Sequence, residues 1–172
     1  MLSRTADHLF WMARYTERAE NTARMLDANY QLSLLPQSDE YAELGWRAML
    51  SISELSGIYS AAHHGMESRE VVDFMAADMS NPSSIASCLR AARENARAVR
   101  SSTNSELWES LNTTWLEYVR LLGDGILERE PLFVLRVGEA SLALVARRAA
   151  RHARQGRCVL FHASRDFHRT RG

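Results

Sequence analysis

Five polar residues crowd together near the amino terminus: Arg14, Glu17, Arg18, Asn21 and Arg24. A glutamate can move a proton, and guanidinium forks hold carboxylates or phosphates through paired N–H donors. The group can therefore work as an acid or base with an electrostatic clamp, or as an anion-binding site. The same residues also suit an ion-pair network between helices, because Arg14 and Arg18, like Glu17 and Asn21, are four apart and share a helix face. Losing one member of a buried network costs about 3–5 kcal/mol, which is reason enough for such residues without catalysis. A combined form, in which the network lines a pocket, stands beside these two.

Arg90, Arg93, Arg97 and Arg100 follow at intervals of 3, 4 and 3 and make a second stripe on one helix face. Phosphate capture is one use of it; pairing with Glu17, Glu20 or the acidic loop Asp39-Glu40 satisfies it without any ligand. The interleaved aromatics and groove-matching charge of nucleic-acid modules are lacking, so no nucleic-acid partner is expected. His63, His64 and Glu67 match no metal signature, and neighbouring histidines on a helix diverge by about 100°; a solvated loop and no metal are expected there. Asn81, just before Pro82, is expected to cap a helix. Ser83 and Ser84 lack a nucleophile elbow with its histidine and acid, and Cys88 lies in a small-residue helical run that favours packing over reactivity. No cofactor is implied.

The chain has 172 residues with 46% hydrophobic and 24% charged residues, enough to bury a real core in one domain or in a domain with an appendage. Its 21 basic and 21 acidic residues cancel, which removes the global field that would recruit nucleic acid or an anionic membrane. No run approaches the roughly 18 apolar residues of a membrane span, and the amino terminus lacks a signal-peptide pattern, so a cytoplasmic location and no membrane partner are expected. The two cysteines, Cys88 and Cys158, are far apart and are expected to be reduced. Neutrality hides two unequal parts. Residues 1–122 carry 11 arginines against 16 carboxylates, and residues 123–172 carry 10 against 5. Every Trp, Tyr and Met precedes Gly123, so two regions are expected, 1–122 as a helical domain and 123–172 as a basic, Arg-rich tail.

The elements that must position these groups read as helices. Residues 3 to 35 contain neither Gly nor Pro and place Met12, Ala19, Ala23, Leu26 and Tyr30 on one side, which packs on a core. On the other side the ionic cluster is flanked by Phe10, Trp11, Met25 and Leu32, so this helix is expected to be covered on two sides with its charges partly enclosed. A second helix is expected over 41–59, with Leu44, Trp46, Met49, Ile52 and Leu55 inward. A third, over 69–76, is capped by Ser68 and contributes Val71, Val72, Phe74 and Met75. A fourth runs from Pro82 to Arg100 with Ile85, Leu89, Ala92, Ala96 and Val99 as its apolar strip. A capping box at Thr103–Glu106 opens a fifth, with Trp108, Leu111, Trp115, Val119 and Leu122 recurring. No period-two segment of useful length appears before residue 122. The fold class is therefore all-α, a bundle of about five helices over residues 1–122, with the tail left undetermined.

The blocks at residues 2–27, 78–100 and 105–112, taken in order, resemble the bacterial alpha-E family, an all-helical domain named for a Glu-Arg motif. The likeness covers about residues 1–122. By position the motif is Glu17-Arg18, with Arg14, Glu20, Asn21 and Arg24 around it; the later block supplies Asn81 to Ser84, Arg90, Arg93, Glu94, Asn95 and Arg97. The resemblance implies an all-helical fold and neighbours of two kinds, an ATP-grasp-like protein and a transglutaminase-like protein, hence a part in peptide ligation or modification. It supplies no demonstrated catalytic residue. The family pattern runs longer and returns to a second Glu-Arg helix, which residues 123–172 do not show. Back-translated and moved on by one base, residues 161–172 and 135–142 give family-like strings, so out-of-frame translation is one expectation for the tail and a native sequence the other.

From these signals the chain is expected to be a non-catalytic helical partner or scaffold of such a system, with ATP-grasp-like and transglutaminase-like proteins as partners. The alternative is an enzyme of that system that uses Glu17 as acid or base with Arg18, Arg93 or Arg97 as clamp. A basic-tail nucleic-acid binder would show salt-sensitive binding lost on deleting residues 123–172.

Overall fold

The computed structural model describes residues 2–36, 38–101, 105–145, 147, 148 and 151, and among them the chain is all-α with no strand. The order is α1 (Leu2–Ser33), α2 (Asp39–Ile52), α3 (Ser56–Ala62), α4 (Ser68–Ala76), α5 (Ile85–Ala98), α6 (Ser105–Gly123), α7 (Ile126–Arg129) and α8 (131–145). Thr103 and Asn104 of the expected capping box, Cys158 and residues 161–172 lie outside the described residues.

The first helix, uninterrupted by Gly or Pro, forms a rod of 32 residues, roughly 48 Å at 1.5 Å per residue. It packs most extensively on α5 and also against α4 and α2. Met12, Ala19, Ala23 and Leu26 are buried on that side. Ala19, Ala23 and Leu26 join Trp46, Tyr59, Phe74, Leu89 and Tyr118 in the main core; Met12 joins Ala92, Ala96, Leu107 and Leu111 in a smaller cluster nearer the start of the rod.

Six helices stand over residues 2–123 where about five were expected, because the second breaks in two. Its buried face is Trp46, Met49 and Leu50, at i, i+3 and i+4, which turns Leu44 and Ile52 to the far side, 61% and 77% exposed. The helix ends in a Schellman motif: Leu55 N–H donates to Leu50 O at 2.9 Å, Glu54 N–H donates to Ser51 O at 3.0 Å, and Glu54 takes the left-handed conformation at φ 58°. Leu50 and Leu55, the hydrophobic pair that accompanies this motif, are both buried.

Two capping expectations are corrected. Ser68 caps nothing; it is the first residue of α4, and its Oγ accepts from Trp46 Nε1 at 2.9 Å, tying α2 to α4. The cap of α5 is Ser84, whose side chain accepts from Ser87 N–H, and not Asn81. Asn81 is fully buried one turn earlier, where Oδ1 accepts from Ser83 N–H at 2.9 Å and Nδ2 donates to Phe74 O at 3.1 Å. It therefore joins the end of α4 to the turn that launches α5. The buried row of α5 is the expected one: Ile85, Leu89, Ala92, Ala96 and Val99. In α6 the buried row is Leu107, Leu111, Thr114, Tyr118 and Leu121, which leaves Val119 42% exposed.

Packing continues past Gly123. Gly125, at φ 65°, lets the chain turn into α7. Leu127, Val134, Leu135 and Leu142 enter the main core and Val145 the smaller one. Gly138 of α8 lies against the Tyr118 ring, where a Cβ would stand 3.4 Å from Cε2. Tyr118 also donates its hydroxyl to Ala76 O at 3.2 Å, so one side chain joins α4, α6 and α8. Surface ion pairs join the two compositional regions: Arg24 with Glu139, Arg136 with Asp27, Arg148 with Glu106 and Arg69 with Glu128.

Candidate functional site

On α1, Arg14, Arg18, Asn21 and Met25 follow at steps of 4, 3 and 4, so they lie along one stripe of the rod. They form one wall of an open cleft of about 420 Å³ with Glu17 and Thr22. The end of α2 supplies Ile52, Ser53 and Glu54, α4 supplies Met75, and the turn before α5 supplies Ser83. Of the five residues in the amino-terminal cluster, four thus meet at one place. Arg24 does not. It lies on the other flank, where it pairs with Glu20 at 2.6 Å and with Glu139 at 3.1 Å, and both carboxylates hold its guanidinium more firmly protonated than usual.

The expected enclosure of the cluster is corrected. Arg14 bonds Glu17 at 2.7 Å, and the two side chains are 53% and 58% exposed. Phe10 and Trp11 are 56% and 42% exposed; they meet edge-on, and Trp11 lies tilted against Tyr15, along the helix instead of under a second layer. The physical reason is that α2, α4 and α5 all pack on the Met12–Leu26 side, and only the tips of α2 and α4 reach round to edge the cleft. At this exposure the Arg14–Glu17 pair contributes about 0.2–1 kcal/mol, not the several of a buried network.

Two lining groups are notable for what they lack. Ser53 Oγ is buried and has no hydrogen-bond partner among the described residues. The Arg18 guanidinium has no ion pair there either; its charge acts on Cys88 in the first turn of α5, where it opposes the burial that pushes the thiol up to about 11. Cys88 is fully buried and therefore a packing residue. Among the described residues that line the cleft, none is a histidine.

The second arginine stripe stands apart from this cleft. Arg93 donates from Nε to Asn112 Oδ1 at 2.8 Å, pairs with Glu94 at 3.0 Å and lies 5.5 Å from the Trp108 ring centroid. Arg97 pairs with the same Glu94 at 3.2 Å, while Arg90 and Arg100 are exposed. The acid that these guanidiniums find is therefore on their own helix, not Glu17 or Glu20. His63 stacks on Tyr59 at 4.4 Å and meets Phe74 edge-on at 5.7 Å, so it packs, whereas His64 is exposed. Among the described residues no group of three or more His, Cys, Asp or Glu is placed to hold a metal ion, and no helix is long and apolar enough to cross a membrane. A second hollow, of about 580 Å³, lies between α4 and α7 with Glu70, Asp73 and Glu128 on its walls; Asp73 is exposed overall, and partial desolvation first, then Asp78 and Glu128, raise its carboxyl above its ordinary value.

Sequence reasoning missed Ser53 and Glu54 because it carried one helix through them. The signal that would have found them is the Leu50/Leu55 pair, five apart, which fits a Schellman ending better than a continuing helix. No curated protein and no solved structure matches the chain. Residues 1–159, and so not only the expected 1–122, match the family model described as a predicted alpha-helical domain with a conserved ER motif. With Glu17-Arg18 on the wall of its cleft and a match that spans most of its length, the chain belongs to the Alpha-E family.

Proposed function

We propose that this chain is a non-catalytic helical partner of a peptide ligation or modification system, engaging its ligand or partner through the Glu17-Arg18 cleft. One observation carries the reading: the cleft gathers binding groups without a reaction centre. Glu17 is exposed and already paired with Arg14, whereas Arg18 and Ser53 line the same space with no partner of their own among the described residues. The partners in this reading are an ATP-grasp-like and a transglutaminase-like protein, encountered in the cytoplasm, and no nucleic acid is required. Arg90 and Arg100, exposed on α5, offer a second contact for an acidic partner surface.

The enzyme reading keeps one point in its favour, since Glu17 and Arg18 share a cleft as an acid or base and its clamp must. Arg93 and Arg97, the other clamp candidates, lie outside the lining. Glu17→Gln separates the two. Titrated against the purified ATP-grasp-like and transglutaminase-like proteins, the variant is expected to keep its helicity, lose at most about 1 kcal/mol of stability and bind more weakly. Unaltered binding with abolished turnover in the reconstituted system establishes the enzyme instead.

A further inference from the structure

Within the cleft the charges sort into a satisfied pair and two singles. Arg14 and Glu17 neutralise each other at 2.7 Å. Arg18, on α1, and Glu54, at the end of α2, line the same space, and neither has an ion pair among the described residues. A single cation and a single anion on different elements are thus left facing one cavity. Met25, Ile52 and Met75 give its walls apolar surface, and Asn21, Ser53 and Ser83 add uncharged polar groups.

Glu54 is the unexpected member. It occupies the left-handed position of the Schellman motif at φ 58°, where glycine fits without strain and a residue with a side chain is uncommon and modestly strained. A non-glycine residue kept in that conformation asks for a return on the strain, and no bond of the Glu54 carboxylate within the described chain supplies one. Its carboxylate thus stands at the cleft without an ion pair among the described residues.

We infer that the cleft binds a zwitterion of amino-acid or short-peptide size, its carboxylate held by Arg18 and its ammonium by Glu54. The guanidinium fork matches a carboxylate with two parallel N–H donors, and a carboxylate at the other end accepts from an ammonium. A volume of about 420 Å³ falls in the range of small-ligand sites and admits a dipeptide with solvent around it. The charges also exclude alternatives. A dianionic phosphate gains from Arg18 but meets Glu54 as a like charge, and a simple amine meets Arg18. This inference rests on the reading of the cleft as the engaged surface and names what enters it.

The test is calorimetric titration of the full chain with L-alanyl-L-alanine, its N-acetyl form, its C-amide form and inorganic phosphate, against the parent, Arg18→Gln and Glu54→Gly. The expected result is binding of the free dipeptide, weakened at least tenfold by blocking either terminus. Arg18→Gln should lose the preference for a free carboxylate and Glu54→Gly the preference for a free amine. Glu54→Gly should do so with an unchanged or higher unfolding midpoint, which separates lost recognition from lost fold. Equal affinity for blocked and free dipeptides, no dipeptide binding at all, or a preference for phosphate overturns the inference. If the dipeptide fails while Arg18-dependent binding of a protein partner persists, the inference falls and the docking reading stands; if the dipeptide binds and the partners ignore Arg18, the reverse holds.

Discussion

Leu135→Ala tests whether the chain beyond Gly123 belongs to the folded body. Leu135 is 0% exposed and lies in the main core beside residues from the first region. The substitution removes the equivalent of three methylene groups, about 2.4 kcal/mol of transfer free energy at roughly 0.8 kcal/mol each, and leaves a cavity that takes the total into the range of about 2–5 kcal/mol. In a chain of this size each kcal/mol moves the unfolding midpoint by about 2–4 °C, so a fall of about 10 °C is expected. Circular dichroism at 222 nm on heating reads it, and urea unfolding followed by tryptophan emission gives the free energy directly, since all four tryptophans lie before Gly123. Arg147→Ala, at an exposed position of the same region, should stay within about 0.5 kcal/mol of the parent. A Leu135→Ala midpoint indistinguishable from the parent, or a chain ending at residue 122 that unfolds at the same temperature, would refute the packing argument. Sequencing the gene across codons 120–130 settles the separate question of reading frame.

Two further outcomes follow from the local chemistry. Ser84→Ala should lower stability by about 1 kcal/mol through the lost cap of α5, and Asn81→Ala by about 1–3 kcal/mol because it leaves buried backbone groups of two elements unsatisfied; equal and negligible losses in urea titration would return the capping assignment to doubt. The Asp73 carboxyl is raised above its ordinary 3.8 by partial desolvation, then by Asp78 and Glu128, so its protonated form is the one the fold favours. Its contribution is fully present below 3.8 and is lost as pH rises through the folded value. Asp73→Asn should therefore be more stable than the parent at neutral pH and should flatten that acid-side decline; a variant that tracks the parent across the pH series shows that Asp73 does not carry it.

Much of the frame could be read from residue spacing, and the failures have identifiable causes. The rod of α1 was legible because nothing in residues 3 to 35 can stop a helix, and the inner rows of α4 and α5 because their apolar residues recur at three and four. The break in α2 was not, since the usual sign, a glycine at the left-handed position, is here a glutamate. That miss carried Leu44 and Ile52 to the wrong face and hid Ser53 and Glu54 from the candidate site. In α6 the tryptophans drew attention to a flank, whereas the buried row, one step round, includes a threonine and a tyrosine whose hydroxyl is satisfied at Ala76. Arg14, Glu17, Arg18 and Asn21, which the three–four rule puts on one side of α1, line one cleft, but the expected enclosure was not found: apolar neighbours such as Phe10 and Trp11 can meet each other along a helix as well as lie under a cover.

Alanine recurs in the buried rows of both α1 and α5: Ala19 and Ala23 on one, Ala86, Ala92 and Ala96 on the other, none more than 3% exposed. Methyl groups neither rotate into new shapes nor leave slack, and helices that meet over them have no alternative side-chain arrangement by which one could slide past the other. The backbone of the rod that carries the arginines and the start of α5 are in consequence held close together. For the binding proposed above, the backbone of that wall needs little rearrangement, and the cost that remains is the ordering of the exposed arginine side chains. The same closeness makes these small positions the least forgiving in the molecule, where a single added methylene pushes the two helices, and the cleft between their neighbours, out of shape.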